Sequence, residues 1–128
     1  MVKLKTSILP IFVITIMFTG LLVLTSQGLA STAKQKYLSA DSCYKKLRNS
    51  SYKQKKASEW LNCISKYEII YRLHPKSSWA PAGMYKAAQL YVTLSKLSGK
   101  RTYKIQAADL LARLKNRYPR SAYAGRAK

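Results

Sequence analysis

The heptapeptide HPKSSWA at residues 74–80 recurs as YPRSAYA at residues 118–124, at an offset of 44 residues. Five positions keep their chemical character: a proline, a basic residue, a serine, a large aromatic residue and an alanine. The pairs are Pro75 and Pro119, Lys76 and Arg120, Ser77 and Ser121, Trp79 and Tyr123, and Ala80 and Ala124. Because proline interrupts a helix and serine is a common helix N-cap, each copy predicts a junction between two helices.

The same offset aligns the apolar residues that precede each motif. Leu61, Ile64, Tyr67 and Ile70 fall on Ile105, Ala108, Leu111 and Leu114, respectively. Internal similarity at a fixed offset is typical of stacked helical hairpins, in which each hairpin buries its apolar face against the next. The sequence therefore predicts two or three stacked helical hairpins.

Apolar residues recur at spacings of three and four in four segments, which predicts four helices and no sheet. The helices are expected from Lys34 to about Asn49, from about Ala57 to Leu73, from Ser77 and Ser78 to about Leu97, and from near Thr102 to Tyr118. Pro81 falls in the first turn of the third helix, and Gly99 is expected to end that helix, since glycine favours the left-handed C-cap conformation. The predicted apolar stripes are Tyr37, Ala40, Tyr44 and Leu47; Trp60, Leu61, Cys63, Ile64, Tyr67, Ile70 and Tyr71; Ala80, Met84, Ala87, Ala88, Tyr91 and Leu94; and Ile105, Ala108, Leu111 and Leu114.

The first 30 residues have the layout of a secretory signal peptide. Lys3 and Lys5 precede an uncharged run at residues 8–24, and small residues at 28–30 or 31–33 offer two cleavage sites. As a helix the run spans about 25 Å, slightly less than a hydrocarbon core of about 30 Å. Cleavage and retention as a membrane anchor both stay open, and in either case we expect residues 31–128 to form one domain outside the cytoplasm.

The chain is strongly basic. Its 128 residues include 24 Lys and Arg against 4 Asp and Glu, a net charge of +20, of which +18 belongs to residues 31–128. Such a charge favours anionic partners and attracts them less strongly as salt is added. Nucleic acid would come first for a cytoplasmic chain, but the predicted export favours lipid headgroups and cell-wall polymers. A solvated basic surface without a single partner is the alternative.

Few residues are available for catalysis. The single histidine, His74, lies beside Pro75 at a helix end, and the four acidic residues, Asp41, Glu59, Glu68 and Asp109, are scattered. The sequence contains no catalytic triad pattern, phosphate-binding glycine loop or metal-ligand spacing. We therefore expect no catalytic activity, metal or cofactor in this chain.

Cys43 and Cys63 are expected to form a disulfide. The first two helices form an antiparallel hairpin around a turn near residue 53, and each cysteine lies ten residues from that turn. An oxidising compartment permits the bond; two buried thiols that act as small apolar groups are the alternative. The ten tyrosines and two tryptophans fall mostly at helical spacing, which favours packing between helices over stacking on sugars or bases. Tyr37, Tyr52 and Tyr103 are the candidates for surface positions.

The aromatic-Pro-basic-Ser-x-aromatic-Ala motif resembles the repeats of periplasmic tetratricopeptide proteins. Residues 34–124 also resemble the helical region that precedes the catalytic domain in certain bacterial N-acetylmuramoyl-L-alanine amidases. This resemblance is carried by the Lys53-to-Lys56 basic run, Trp60-x-x-Cys63-Ile64, Tyr71-Arg72-x-x-Pro75-x-Ser77, Ala87-x-x-Leu90-Tyr91 and Ser98-Gly99.

The resemblance implies a short right-handed α-solenoid of tetratricopeptide-like hairpins, whose groove binds a protein segment or an anionic cell-wall component. No position of this chain matches a zinc ligand of the amidases, so the resemblance implies no catalysis here. Because residues 121–128 begin a helix and stop after about two turns, a truncated N-terminal region of such an amidase is an alternative interpretation. A protein that binds polyanions through charge alone is a second alternative.

Overall fold

The computed structural model describes residues 31–127, so the signal or anchor segment predicted at residues 1–30 lies outside the described residues. Within the described part, every regular element is a helix. In chain order they are α1 (Ala33–Arg48), α2 (Ser51–Gln54), α3 (Ala57–Leu73), α4 (Trp79–Ser98), α5 (Arg101–Arg117) and α6 (Ala122–Arg126). The prediction of an all-α fold is confirmed, and the four long helices lie within a few residues of their predicted limits.

Local interactions set the start of α1 and the turn that follows it. Thr32 and Gln35 form a capping box: the Thr32 hydroxyl accepts from the Gln35 backbone N–H at 3.2 Å, and the Gln35 amide oxygen accepts from the Thr32 N–H at 2.9 Å. The short helix α2 was not predicted. It begins after Ser50, whose hydroxyl accepts from the Lys53 N–H at 3.3 Å, and it turns the chain from α1 into α3.

The core lies between successive long helices. Helix α3 packs against both α1 and α4, and α4 packs against both α3 and α5. The stripes predicted for α1, α3 and α4 are buried, with Tyr44, Leu61 and Tyr91 half-buried at their edges. Gly83 brings α4 close to α3, because an added Cβ would lie 2.8 Å from the Tyr67 carbonyl oxygen. Small residues at this contact allow the two backbones to approach.

The stripe predicted for α5 is correct only in its second half. Leu114 is buried and Leu111 is half-buried against the core, but Ile105 is 55% exposed, Ala108 is exposed, and Ala107 and Leu110 are buried in their place. The prediction copied the pattern of α3, which is covered by two long helices. Among the described long helices α5 packs only against α4, so it buries a narrower face than α3 does. That face includes Ala107 and Leu110 and excludes Ile105.

The two copies of the motif adopt the same local structure. His74 and Tyr118 end α3 and α5 with nearly identical backbone angles, φ −128° and ψ 59° against φ −130° and ψ 54°. The Ser77 hydroxyl accepts from the Trp79 N–H at 3.2 Å, and the Ser121 hydroxyl accepts from the Tyr123 N–H at 3.1 Å. We call residues 74–80 and 118–124 the two junctions. At the end of α4, Gly99 takes a left-handed conformation with φ 69°, as predicted for a glycine cap.

Candidate functional site

Cys43 of α1 and Cys63 of α3 are joined in a disulfide, with their Cα atoms 5.6 Å apart. The pairing expected from the sequence is thus present. Cys63 is fully buried and Cys43 half-buried, and the Asn62 side-chain amide lies 3.9 Å from the Cys43 sulfur. The bond fixes α1 to α3, and disulfides persist mainly in oxidising compartments outside the cytoplasm.

A groove of about 560 Å³ runs between the same two helices. We call it the α1–α3 groove. Its neutral polar lining consists of Ser31, Gln35, Ser39, Asn62 and Ser65. Its cations are Lys36, Lys66 and Arg72, and its main apolar contribution is Ile69, which is 41% exposed. No acidic residue lines it.

Helical spacing explains how these side chains come to share one groove. Asn62, Lys66 and Ile69 follow one another at intervals of four and three, so they lie on one face of α3. On α1, Ser39 precedes the disulfide-bonded Cys43 by one turn, which places the groove beside the disulfide. The corresponding sequence signal is a polar residue one turn before Cys43 and another directly before Cys63, but no groove was predicted from it.

The four acidic residues are all engaged within the described part of the chain. Glu59 pairs with Lys53 at 3.7 Å, Glu68 with Arg72 at 2.9 Å, and Asp109 with Arg113 at 2.9 Å. Asp41 accepts a hydrogen bond from the Tyr67 hydroxyl. Most basic side chains therefore have no carboxylate partner.

The buried tyrosines are packing groups with raised pKa values. Burial, followed by the nearby Asp41 carboxylate and Tyr123, raises the pKa of Tyr37 to about 12. Burial and the hydrogen bond to Asp41 raise the pKa of Tyr67 further above the ordinary tyrosine value. Tyr37 is 9% exposed and packs against Tyr67, with ring centroids 5.5 Å apart, so its suggested surface position is wrong. Tyr52 is exposed as expected, and Tyr103 is half-buried and stacks on Tyr91.

The two junctions meet at a cleft of about 680 Å³, which we call the junction cleft. The Tyr118 hydroxyl donates to the Pro75 carbonyl oxygen at 2.7 Å and so ties one junction to the other. Other motif residues support the helices: Trp79 packs against Tyr37 at 5.0 Å between ring centroids, and Ala80 is fully buried. Ala124, the matching residue of the second junction, is half-buried. The lining of the cleft is mostly apolar and includes two prolines and two tyrosines.

His74 ends α3, and its Nε2 is buried without a hydrogen-bond partner. Within residues 31–127 no three histidine, cysteine, aspartate or glutamate side chains come together in a way that could hold a metal ion. In the same part of the chain, no helix has the length and apolar character needed to cross a membrane.

Comparison with known proteins gives no match: no family model fits the chain, and neither a curated protein nor a solved structure is significantly similar to it. Function is therefore inferred from the geometry and charge of the described residues.

Proposed function

We propose that this chain is a non-catalytic, exported module of the bacterial cell envelope that binds an anionic component of the cell wall. In this proposal residues 1–30 export the chain or anchor it in the inner membrane, and residues 31–128 form a short tetratricopeptide-like solenoid. The amidase resemblance supports a place beside peptidoglycan, because the related regions accompany enzymes that cleave it.

The observation that carries the proposal is uncompensated positive charge. The chain has a net charge of +20, and its four carboxylates already have partners within the chain. A surface of this kind attracts polyanions over a distance that salt controls, since charges are screened beyond about 10 Å at 0.1 M ionic strength. The ligand class that follows is an anionic polymer.

Two observations support a location outside the cytoplasm. The first is the sequence layout of residues 1–30. The second is the disulfide between Cys43 and Cys63, because reducing conditions disfavour such bonds in the cytoplasm. Outside the inner membrane, wall polymers are among the most abundant polyanions.

A sedimentation assay tests the proposal. The protein isolated from the envelope of an expressing bacterium is mixed with purified cell wall in a series of NaCl concentrations, with a neutral polysaccharide as the control matrix. We expect the protein to sediment with the wall at low salt and to be released progressively as salt rises above about 0.1 M, where screening becomes strong. Absence of binding at low salt, or equal binding to the neutral matrix, would contradict the proposal.

A protein segment is the second candidate ligand, and the junction cleft favours it. Proline and tyrosine side chains line this cleft, and aromatic residues are common in peptide-binding surfaces. Binding at an apolar cleft would persist at high salt, so the same salt series distinguishes the two ligands.

A further inference from the structure

Two half-buried lysines face the α1–α3 groove without an ionic partner. Lys36 lies on α1 and Lys66 on α3, and both are half-buried, whereas most lysines of the described residues are exposed. Among the described residues no carboxylate pairs with either, because three acidic side chains pair with Lys53, Arg72 and Arg113 and the fourth, Asp41, accepts from the Tyr67 hydroxyl. Of the other two half-buried lysines, Lys53 pairs with Glu59, and Lys86 lies on α4 without a carboxylate partner. The α1–α3 groove is distinguished by bringing two such lysines into one lining.

The location of these lysines has an electrostatic consequence. Partial removal of a charge from water is unfavourable unless an opposite charge compensates it, and two like charges in one groove add repulsion. An anion bound in the groove would reverse both effects. Arg72 also lines the groove, but its charge is offset by the ion pair with Glu68 at 2.9 Å, so the unpaired cations of the groove are Lys36 and Lys66.

The neutral polar residues of the groove indicate which kind of anionic ligand fits it. Ser39, Asn62, Ser65 and Gln35 offer hydroxyl and amide groups that donate and accept hydrogen bonds. Such groups match the hydroxyls of a sugar or polyol chain, and the apolar atoms of the lining, which provide more of its surface than the polar ones, match the carbon backbone of such a chain. A concave groove between two helices fits a single polymer strand better than a flat lipid surface.

We infer that the α1–α3 groove binds a strand of a hydroxyl-rich anionic polymer, with Lys36 and Lys66 contacting its acidic groups and the neutral polar side chains contacting its hydroxyls. This inference rests on the proposed function and names its binding site. The acidic groups are phosphates or carboxylates, which both accept hydrogen bonds from an ammonium group.

The disulfide holds the walls of this groove. Cys43 and Cys63 join α1 to α3 next to Ser39 and Asn62, so the distance between the walls is set before the ligand binds. Preorganisation lowers the entropic cost of binding. Reduction of the disulfide should therefore weaken binding as well as folding.

The test compares the K36Q/K66Q variant with the matched control K86Q/K104Q. Both remove two positive charges, and Lys86 is half-buried like Lys36 but lies on α4, away from the groove. Each protein is titrated at low salt with an oligomer of glycerol phosphate, an oligogalacturonate and a neutral dextran oligomer. We expect the groove variant to raise the Kd for at least one anionic oligomer by about tenfold or more and the control by about threefold or less. The dextran should bind weakly to all three proteins.

The anionic oligomer that shows the effect identifies phosphate or carboxylate as the recognised group. Equal losses in the two variants would overturn the groove as the site while leaving wall binding, and hence the proposed function, intact. Failure of the unaltered protein to bind both the oligomers and the cell wall would overturn both. Equal affinity for dextran would overturn the role of charge in the groove.

A second variant keeps the inference testable if K36Q/K66Q does not fold. Ser65 is exposed on α3, so S65D places a carboxylate at the groove without disturbing the core. We expect S65D to retain the circular dichroism spectrum and to weaken binding of the anionic oligomer by about tenfold, since its carboxylate pairs with the lysines and repels the ligand. Unchanged binding by a folded S65D would overturn the inference. Suppose instead that the unaltered protein binds anionic vesicles but not the oligomers, and that S65D weakens this vesicle binding. The ligand would then be a membrane surface, and the inference that the groove binds a polymer would be overturned.

Discussion

At the scale of single residues, Gly83 allows two helices to approach closely because it has no side chain. Gly83 lies in the interior of α4, a position where glycine ordinarily weakens a helix. It is tolerated here because a Cβ would lie 2.8 Å from the Tyr67 carbonyl oxygen and 3.2 Å from the Ile70 side chain. Glycine at this position lowers the intrinsic stability of α4 but allows α4 to pack closely on α3.

Gly83→Ala is expected to destabilise the protein. Overpacking in a core typically costs about 1–3 kcal/mol, which exceeds the roughly 0.5–1 kcal/mol that alanine gains over glycine within a helix. Chemical denaturation followed by circular dichroism measures the difference. Gly125→Ala is the matched control, because nothing lies within 4 Å of its added Cβ, and it should be neutral or slightly stabilising. Equal stability of the two variants would contradict the close contact.

Four tyrosines are expected to ionise at a higher pH in the folded protein than in the unfolded chain. Burial raises the pKa values of Tyr37, Tyr67, Tyr71 and Tyr91, and that of Tyr37 reaches about 12. In the unfolded chain they ionise near pH 10, so their contribution to the free energy of unfolding is complete below pH 10 and is lost as the pH rises from 10 towards 12. Tyrosinate absorbance measures this: the folded protein should titrate later than the protein in guanidinium, and Tyr37→Phe should remove one late group. Superimposable titration curves would contradict the burial.

At the scale of elements, α1 is attached to the rest of the domain mainly through α3, by a disulfide and by the packing of one helix face. It packs mainly against α3, and the disulfide joins the two helices through residues 20 positions apart. The capping box of Thr32 and Gln35 is visible in the sequence as a Thr-x-x-Gln pattern, yet the predicted helix began at Lys34, one residue after its start at Ala33. The element was predictable from periodicity, and its exact start depended on side-chain hydrogen bonds.

Reduction of the disulfide is expected to lower stability by roughly 3 kcal/mol, because a closed loop of this length restricts the unfolded chain. Denaturation with and without a reducing agent measures the loss. A Cys43→Ala/Cys63→Ala variant is the control, since its stability should not respond to the reducing agent. Two reactive thiols in the unfolded, unreduced protein would show that the bond does not form.

The two junctions are coupled by one hydrogen bond. Tyr118→Phe removes the hydroxyl that donates to the Pro75 carbonyl oxygen at 2.7 Å, and the loss of a typical hydrogen bond costs about 1 kcal/mol. Thermal unfolding should show the decrease. Tyr52→Phe is the control, because that ring is 69% exposed and its hydroxyl contacts only the exposed Lys56 ammonium group. A Tyr118→Phe protein as stable as the control would indicate that the junctions do not support each other.

At the scale of the whole molecule, charge and groove geometry come from different sources. The excess of positive charge is a property of composition, and the structure adds that every acidic side chain has a partner within the described residues. The α1–α3 groove exists only because α1 and α3, separated along the chain by α2, pack side by side. Periodicity did not predict that Lys36 and Lys66 line one groove, because that depends on how α1 packs on α3.

The sequence by itself determined the four long helices and their breaks at the junctions and indicated the pairing of Cys43 with Cys63, because these depend on residues near one another in the chain or on the fold of one hairpin. Only the tertiary structure decided which face of α5 is buried and which lysines are shielded. Periodicity shows that a helix has an apolar face, whereas burial depends on which neighbours cover it. For α5 that neighbour is mainly α4, so Leu110 is buried and Ile105 is left exposed.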